Sequence, residues 1–242
     1  MNPLIKFLVV CALILGAPWA ACEITYPNIY VRYRLTVEVD DGGQVRTGSG
    51  VVEIKYPIFP DILIAGGAFH GVLRGNAITV DLGHKGLIFL VNSTSVALAL
   101  KPHSNTDGFR DHSEDLWALP LAAYGFPDGG MPSYMKPVLR KLQRESHEVS
   151  IPMEMTPMIV RFRDINDPSS IEEVDPTDLA ATFGSGVKLK RATVQITGDP
   201  VTPAPSSWPD WLVQGKKPGI GLITKNKANP VQILNISVFK GE

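Results

Sequence analysis

Cysteine is scarce in this chain, which has only two among its 242 residues. Both of them, Cys11 and Cys22, lie near the amino terminus, and no cysteine follows. Residues 23–242 therefore contain no internal disulfide, and an apolar core has to hold their fold together. A segment of this length can bury enough of its surface to fold without cross-links.

Long apolar runs are also missing. The longest, residues 7–17, spans 11 residues, whereas a membrane-spanning helix needs about 20. Lys6 precedes this run and the small residues Ala20 and Ala21 follow it, which is the organisation of a secretion signal. We therefore predict a signal peptide at residues 1–22, and a single mostly-β domain at residues 23–242 that is exported to the periplasm or cell envelope.

Two cleavage chemistries fit the end of this signal. A conventional peptidase would take Ala20 and Cys22 as the small residues before its cut. A lipoprotein peptidase would instead cut before Cys22 once the thiol has been acylated, although Trp19 stands where an aliphatic residue is usual. We favour acylation, which makes Cys22 a lipidation site and the membrane a partner. Conventional cleavage is the alternative.

Neither sign of charge dominates, since the chain has 23 Lys and Arg residues and 24 Asp and Glu residues. This balance gives no electrostatic footprint for nucleic acid, so we predict no nucleic-acid partner. It also predicts no basic patch for anionic lipids. No phosphate-binding or dinucleotide-binding motif is present, and we expect no cofactor.

The common catalytic motifs are absent as well, including HExxH and G-x-S-x-G. The candidate metal site is the polar segment 101–115, where histidine and carboxylate side chains occur together. Such donors can hold zinc or another divalent ion. Because polar composition is common in loops, a solvated loop is the simpler interpretation. The candidate ligands are His103, Asp107, Asp111 and His112.

A second polar segment allows a calcium-binding interpretation. Asp164, Asn166 and Asp167 place oxygen side chains close together after a predicted strand. A calcium loop of the EF-hand type needs glycine at its sixth position, and Ser169 stands there. We favour a turn that Asp167 caps ahead of Pro168.

An aromatic pair, Trp208 and Trp211, lies at the end of a proline-rich loop over residues 200–209. Two aromatic rings on a loop could bind a sugar or a peptide. Packing of both rings against the core is the interpretation that we favour, since large aromatic side chains are mostly buried.

Alternation of apolar and polar residues is the dominant pattern in the chain. Residues 29–40 alternate over five repeats, which predicts a half-buried antiparallel strand. The turn signal Asp41-Gly42-Gly43 then predicts a hairpin with residues 44–56. Gly48 and Gly50 in the second strand indicate a bulge or a close approach of another backbone. Further strands are predicted at 77–82, 87–100, 149–163, 187–197 and 231–239.

Helical patterns are fewer. Apolar residues recur at spacings of three and four over residues 133–145, which predicts an amphipathic helix with Pro137 in its first turn. A second helix is predicted between Asp175 as N-cap and Gly184 as the terminal glycine. Many short strands with few helices favour a mainly β, α+β fold. We expect an antiparallel β-sandwich or barrel-like domain with two or three short helical insertions.

Residues 157–202 carry the most specific resemblance to other proteins. This block, together with YRLTVEV at 33–39, TGSGVVE at 47–53 and TVDLG at 79–83, resembles a family of uncharacterised exported proteins and predicted lipoproteins of Gram-negative bacteria. The resemblance implies acylation of Cys22 and names no activity. Relatives carry a glutamate near the position of Asn76, which this chain lacks.

These observations converge on one functional hypothesis. The signal, Cys22 and the alternating strands indicate a cell-envelope binding or structural module without catalytic activity, anchored by lipid to a membrane. The alternative function is a periplasmic hydrolase or metal-dependent enzyme that uses the segment 101–115.

Overall fold

The computed structural model describes residues 25–61, 71–92, 116–214, 220–223, 231–234 and 239–241, together with Ile5. These residues form a mainly β, α+β domain, and the predicted fold class is confirmed. Two six-stranded sheets make up most of it. The predicted signal peptide, apart from Ile5, lies outside the described residues.

The first sheet has the strand order β12-β3-β2-β1-β9-β6, and the second has the order β11-β10-β8-β7-β5-β4. All pairings are antiparallel except that of β8 with β10. The strands are β1 Ile29–Asp41, β2 Gln44–Tyr56, β3 Val72–Asn76, β4 Ile78–Asp81, β5 Leu87–Leu90, β6 Val149–Ile151, β7 Ile159–Phe162, β8 Ile171–Val174, β9 Val187–Ile196, β10 Ile220–Ile223, β11 Val231–Leu234 and β12 Lys240–Gly241. The helices are α1 Leu119–Ala123, α2 Pro132–Leu142, α3 Ala180–Phe183 and α4 Asp210–Val213.

The β1–β2 hairpin forms as predicted. Asp41 pairs with Gln44 at its closed end, which leaves a two-residue turn. Gly42 and Gly43 adopt φ values of 63° and 97° there, and glycine takes this left-handed conformation without steric cost. Alternate residues of β1 are buried, which confirms the predicted half-buried strand.

Gly48 and Gly50 mark the place where the two sheets meet. A Cβ atom on Gly48 would lie 2.3 Å from the carbonyl oxygen of Thr79 in β4. A Cβ atom on Gly50 would lie 2.5 Å from the side chain of Ile78 in the same strand. The prediction of a close backbone approach is confirmed at Gly48, because any larger residue there would push the backbone of β4 away from β2.

Two apolar cores lie on opposite sides of the second sheet. Ile88 and Leu90 of β5 face the core shared with the first sheet, α1 and α2. Phe89, between them, faces a second core built with Phe162, Trp208 and other residues. A sheet buried on both faces needs a continuous apolar strand, which explains the unbroken run at residues 87–91.

Helix α2 differs from its prediction in its bounds and in the place of Pro137. It spans Pro132–Leu142, with Pro137 in its interior and not in its first turn. Proline has no N–H to donate to the carbonyl four residues earlier in the helix. Pro137 is exposed, so water can hydrogen-bond to that carbonyl instead. Met135, Leu139 and Leu142 are fully buried and hold the helix against the core.

Helix α3 is shorter than predicted. The Asp175 carboxylate accepts hydrogen bonds from the backbone and hydroxyl of Thr177, which forms a turn and does not begin a helix. The helix starts at Ala180, after Asp178 has accepted a hydrogen bond from the Ala181 N–H at 3.0 Å. Gly184 ends the helix at φ 96°, as predicted.

Candidate functional site

Several predicted site residues fall outside the described part of the chain. Cys22, the predicted lipidation site, is one of them. The four candidate metal ligands are the others: His103, Asp107, Asp111 and His112. Within the described residues, no group of three or more His, Cys, Asp or Glu side chains could hold a metal ion.

The segment with Asp164 and Asp167 forms the favoured turn. The Asp167 carboxylate accepts a hydrogen bond from the Ser169 N–H at 2.9 Å and caps the 3₁₀ turn Pro168–Ser170. Asp164 accepts one from the Asn166 N–H at 2.9 Å. Both carboxylates therefore serve the local backbone, which is the usual role of Asp at such positions.

Trp208 and Trp211 lie against the second core. Trp208 is 4% exposed, and its indole N–H donates to the Thr79 hydroxyl at 2.8 Å. Trp211 is half-buried, and its N–H donates to the carbonyl of Ile165 at 3.0 Å. This is the arrangement that the packing interpretation describes. A sugar-binding or peptide-binding role for the pair stays a prediction, with Trp211 the more accessible ring.

The proline-rich loop that carries these rings is fixed to the first sheet by Thr202. Its hydroxyl accepts a hydrogen bond from the Val51 N–H at 2.8 Å, and its own N–H donates to the Val51 carbonyl at 3.1 Å. Asn76 donates to the Thr202 carbonyl at 2.9 Å. Asn76 therefore helps to hold this loop against the first sheet.

A cleft of about 450 Å³ opens where the end of α2 meets the first sheet, and sequence reasoning did not find it. The residues that line it are far apart in the chain, so no local sequence pattern predicts it. Its lining comes from β1 and β2, from the segment that follows α2, and from the end of β9 with the two residues after it. The lining residues are Tyr30, Val31, Arg32, Glu53, Gln143, Arg144, Glu145, Ser146, Ile196, Thr197 and Gly198.

Two side-chain hydrogen bonds hold the walls of the cleft together. Gln143 donates to the carbonyl of Tyr30 at 2.8 Å, which joins the end of α2 to β1. Gln195 of β9 donates to the carbonyl of Ser146 at 2.8 Å. The cleft is therefore built between elements that are fixed relative to each other.

An ion pair forms the floor of the cleft. Glu53 is 5% exposed, and its carboxylate accepts a hydrogen bond from Arg32 Nε at 2.6 Å. Arg74 lies 3.8 Å from the other carboxylate oxygen. Among the described residues, the two terminal nitrogens of Arg32 have no hydrogen-bond partner, and its side chain is 41% exposed. They are donors of the kind that bind a carboxylate or phosphate group.

The polar side of the first sheet continues away from the cleft; we call its charged residues Arg32, Arg34, Glu38, Glu53 and Arg191 the outer sheet face. Arg34 binds Asp199 at 2.6 Å, and Arg191 binds Glu38 at 2.6 Å. The hydrogen bond from Arg191 lowers the pKa of Glu38. Hydrogen bonds from Thr197 and then Arg34 lower the pKa of Asp199. These carboxylates are held ionised by their partners.

No helix among the described residues is long and apolar enough to cross a membrane.

Comparison with known proteins gives no relative: no protein-family model, no curated protein and no solved structure matches this chain.

Proposed function

We propose that the protein is a non-catalytic binding or structural module of the cell envelope, tethered to a membrane by lipid on Cys22. The observation that carries this proposal is the short sequence distance between Cys22 and the first strand. Strand β1 starts at Ile29, seven residues after Cys22, and Thr25 between them is exposed. A lipid on Cys22 would hold the domain directly at the membrane surface.

The charges of the outer sheet face support a structural or binding role. A general acid or base needs a carboxyl group within reach of the reacting proton and a pKa near the working pH. Glu53 is held by Arg32, and Glu38 is held by Arg191 and Lys190. These carboxylates are engaged as partners of cations, and Arg32 offers the cleft its free donors.

A processing experiment tests the tether. Cys22→Ser removes the thiol that the lipid would occupy, so we expect the protein to leave the membrane fraction and its mass to lose the acyl groups. Globomycin, which inhibits the lipoprotein peptidase, should cause the wild-type precursor to accumulate. Cys11→Ser is the matched control, because Cys11 leaves with the predicted signal.

The contrary outcome is equally clear. If the Cys22→Ser protein is processed and distributed as the wild type is, Cys22 is not acylated and the tether is wrong.

A further inference from the structure

Helix α2 and the turn after it carry four cations and no acidic residue: Lys136, Arg140, Lys141 and Arg144. At 3.6 residues per turn, Arg140, Lys141 and Arg144 point away from the buried residues of α2, and Lys136 lies half-buried at the edge of the same side. They form one solvent-facing surface, which we call the cationic face of α2.

These cations are not neutralised by the fold. Among the described residues, none of the four forms an ion pair with a carboxylate. Two acids lie nearby. Asp61 caps the start of the helix through Ser133, and Glu145 follows the face and lies 3.4 Å from His147. The cationic face therefore carries an excess of positive charge over residues 136–144.

Exposed amphipathic side chains accompany this charge. Tyr134 in the first turn of α2 is 54% exposed, and Met131 just before the helix is 51% exposed. Tyrosine is enriched where proteins meet the headgroup region of a membrane, because its ring is apolar and its hydroxyl is polar.

The chain three residues after Cys22 contacts the same helix. Lys136 Nζ donates to the carbonyl of Thr25 at 3.5 Å. An extended chain spans at most about 3.6 Å per residue, so the Cα of Cys22 lies within roughly 11 Å of the Cα of Thr25. That distance is close to the Debye length of about 8 Å at physiological ionic strength. A membrane that holds Cys22 is thus within electrostatic reach of α2.

We propose that the cationic face of α2 binds the anionic headgroups of the membrane. This inference rests on the proposed tether for the orientation of the domain, and corrects the expectation that the balanced charge leaves no basic patch for anionic lipids. The helix binds at the surface and does not insert, because its apolar side is already buried in the core. A basic surface adds electrostatic attraction to anionic lipids to the attachment that the lipid on Cys22 provides.

A footprinting experiment tests the proposal on the full chain purified from membranes. Lys136 and Lys141 are acetylated in the presence of vesicles of phosphatidylcholine alone, or with 30% phosphatidylglycerol, and their reaction rates are measured by mass spectrometry. We expect phosphatidylglycerol to slow both reactions severalfold and 1 M salt to restore them, since the Debye length is then about 3 Å. Lys188 is the internal control, because it neighbours Asp40 at the opposite end of β1.

Charge variants sharpen the result. Each Lys or Arg near an anionic surface is worth about 1 kcal/mol, or about fivefold in binding. Replacing all four cations by glutamine should therefore weaken partitioning into phosphatidylglycerol vesicles by two orders of magnitude or more. The matched control keeps the charge: Lys136→Arg with Lys141→Arg, and Arg140→Lys with Arg144→Lys, should bind as the wild type does.

Failure of this inference is distinguishable from failure of the tether. Equal lysine reactivity on both vesicle types overturns it and leaves the helix to an acidic protein partner, while the Cys22→Ser result stands by itself. If Cys22→Ser protein still shows protection that depends on phosphatidylglycerol, α2 binds the headgroups without the tether, and the processing experiment alone decides whether Cys22 is acylated. Unchanged binding of the four-glutamine variant also overturns the inference.

Discussion

The outer sheet face and the cationic face of α2 are both rich in charge, yet they use it differently. On the sheet, Arg32, Arg34 and Arg191 each contact a carboxylate on another element at 2.6 Å. On α2, none of the cations forms an ion pair within the described residues. A chain with nearly equal numbers of acids and bases thus divides into a neutralised surface and a positive one.

This difference separates charges that serve the fold from charges that do not. Cross-strand ion pairs contribute modestly to the stability of a sheet. Like charges four residues apart on a helix oppose its formation. Arg140 lies four residues from Lys136, but as a cation of the last turn it also interacts favourably with the carboxyl end of α2, so the two effects on stability oppose each other.

The largest expected effect comes from the core that α2 shares with the sheets. Leu139→Ala removes a fully buried side chain, and we expect the free energy of unfolding to fall by about 2–5 kcal/mol. Urea denaturation measures it. Arg140→Ala, on the exposed side of the same helix, is the control. An equally small loss in both variants would mean that α2 is not docked as described.

The next effect concerns the buried partner on the sheet. Glu53→Gln takes the carboxylate from Arg32 and Arg74, and we expect a loss of about 1–3 kcal/mol in the free energy of unfolding. Glu154→Gln is the matched control, because Glu154 is exposed. If the two variants were equally stable, the ion pair at the floor of the cleft would contribute nothing.

Acid should weaken the ion pairs of the outer sheet face. The pKa of Glu38 is lowered in the fold, so its contribution to stability is present above its ordinary value of 4.5 and is lost as the pH falls through the lower folded value. Thermal unfolding from neutral pH to pH 3 should show a smaller acid-induced decrease for Glu38→Gln than for the wild type. Identical profiles for Glu38→Gln and wild type would contradict the pairing.

The smallest effects compare one cation from each surface. Arg140→Gln removes a like-charge contact with Lys136 but also the favourable interaction of Arg140 with the carboxyl end of α2, so we expect the free energy of unfolding to change by less than about 0.5 kcal/mol. Arg34→Gln removes the cation that Asp199 binds, and we expect the free energy of unfolding to fall. The two changes are measured side by side by urea denaturation. A larger loss for Arg140→Gln than for Arg34→Gln would contradict the comparison, because it would show that Arg140 serves the fold.

The sequence predicted the elements whose signals are local. The alternation in β1, the Gly42-Gly43 turn and the terminal Gly184 of α3 each depend on a few neighbouring residues, and each was confirmed. The boundaries of the helices were predicted less accurately. Asp175 binds Thr177 and forms a turn, because an aspartate can serve either a helix or a turn with similar geometry.

The candidate site could not be predicted in the same way. Its cleft brings together Arg32, Glu53 and the end of α2, which are separated by about twenty residues or more. Trp208 shows the same limit, since its burial depends on Thr79 and on the aromatic core beyond the second sheet. The cations of α2 are evident in the sequence. Only the structure shows that, among the described residues, they lack carboxylate partners.

The sequence by itself determined the mainly β fold class and the hairpin, because alternation and turn geometry are properties of short segments. It left a bulge and a close approach open at Gly48, and the position of β4 decided between them. Only the tertiary structure decided which charges are paired, because pairing depends on distances between atoms of different elements, such as Arg32 with Glu53 and Arg191 with Glu38. The same structure places Lys136 of α2 against Thr25, three residues after Cys22.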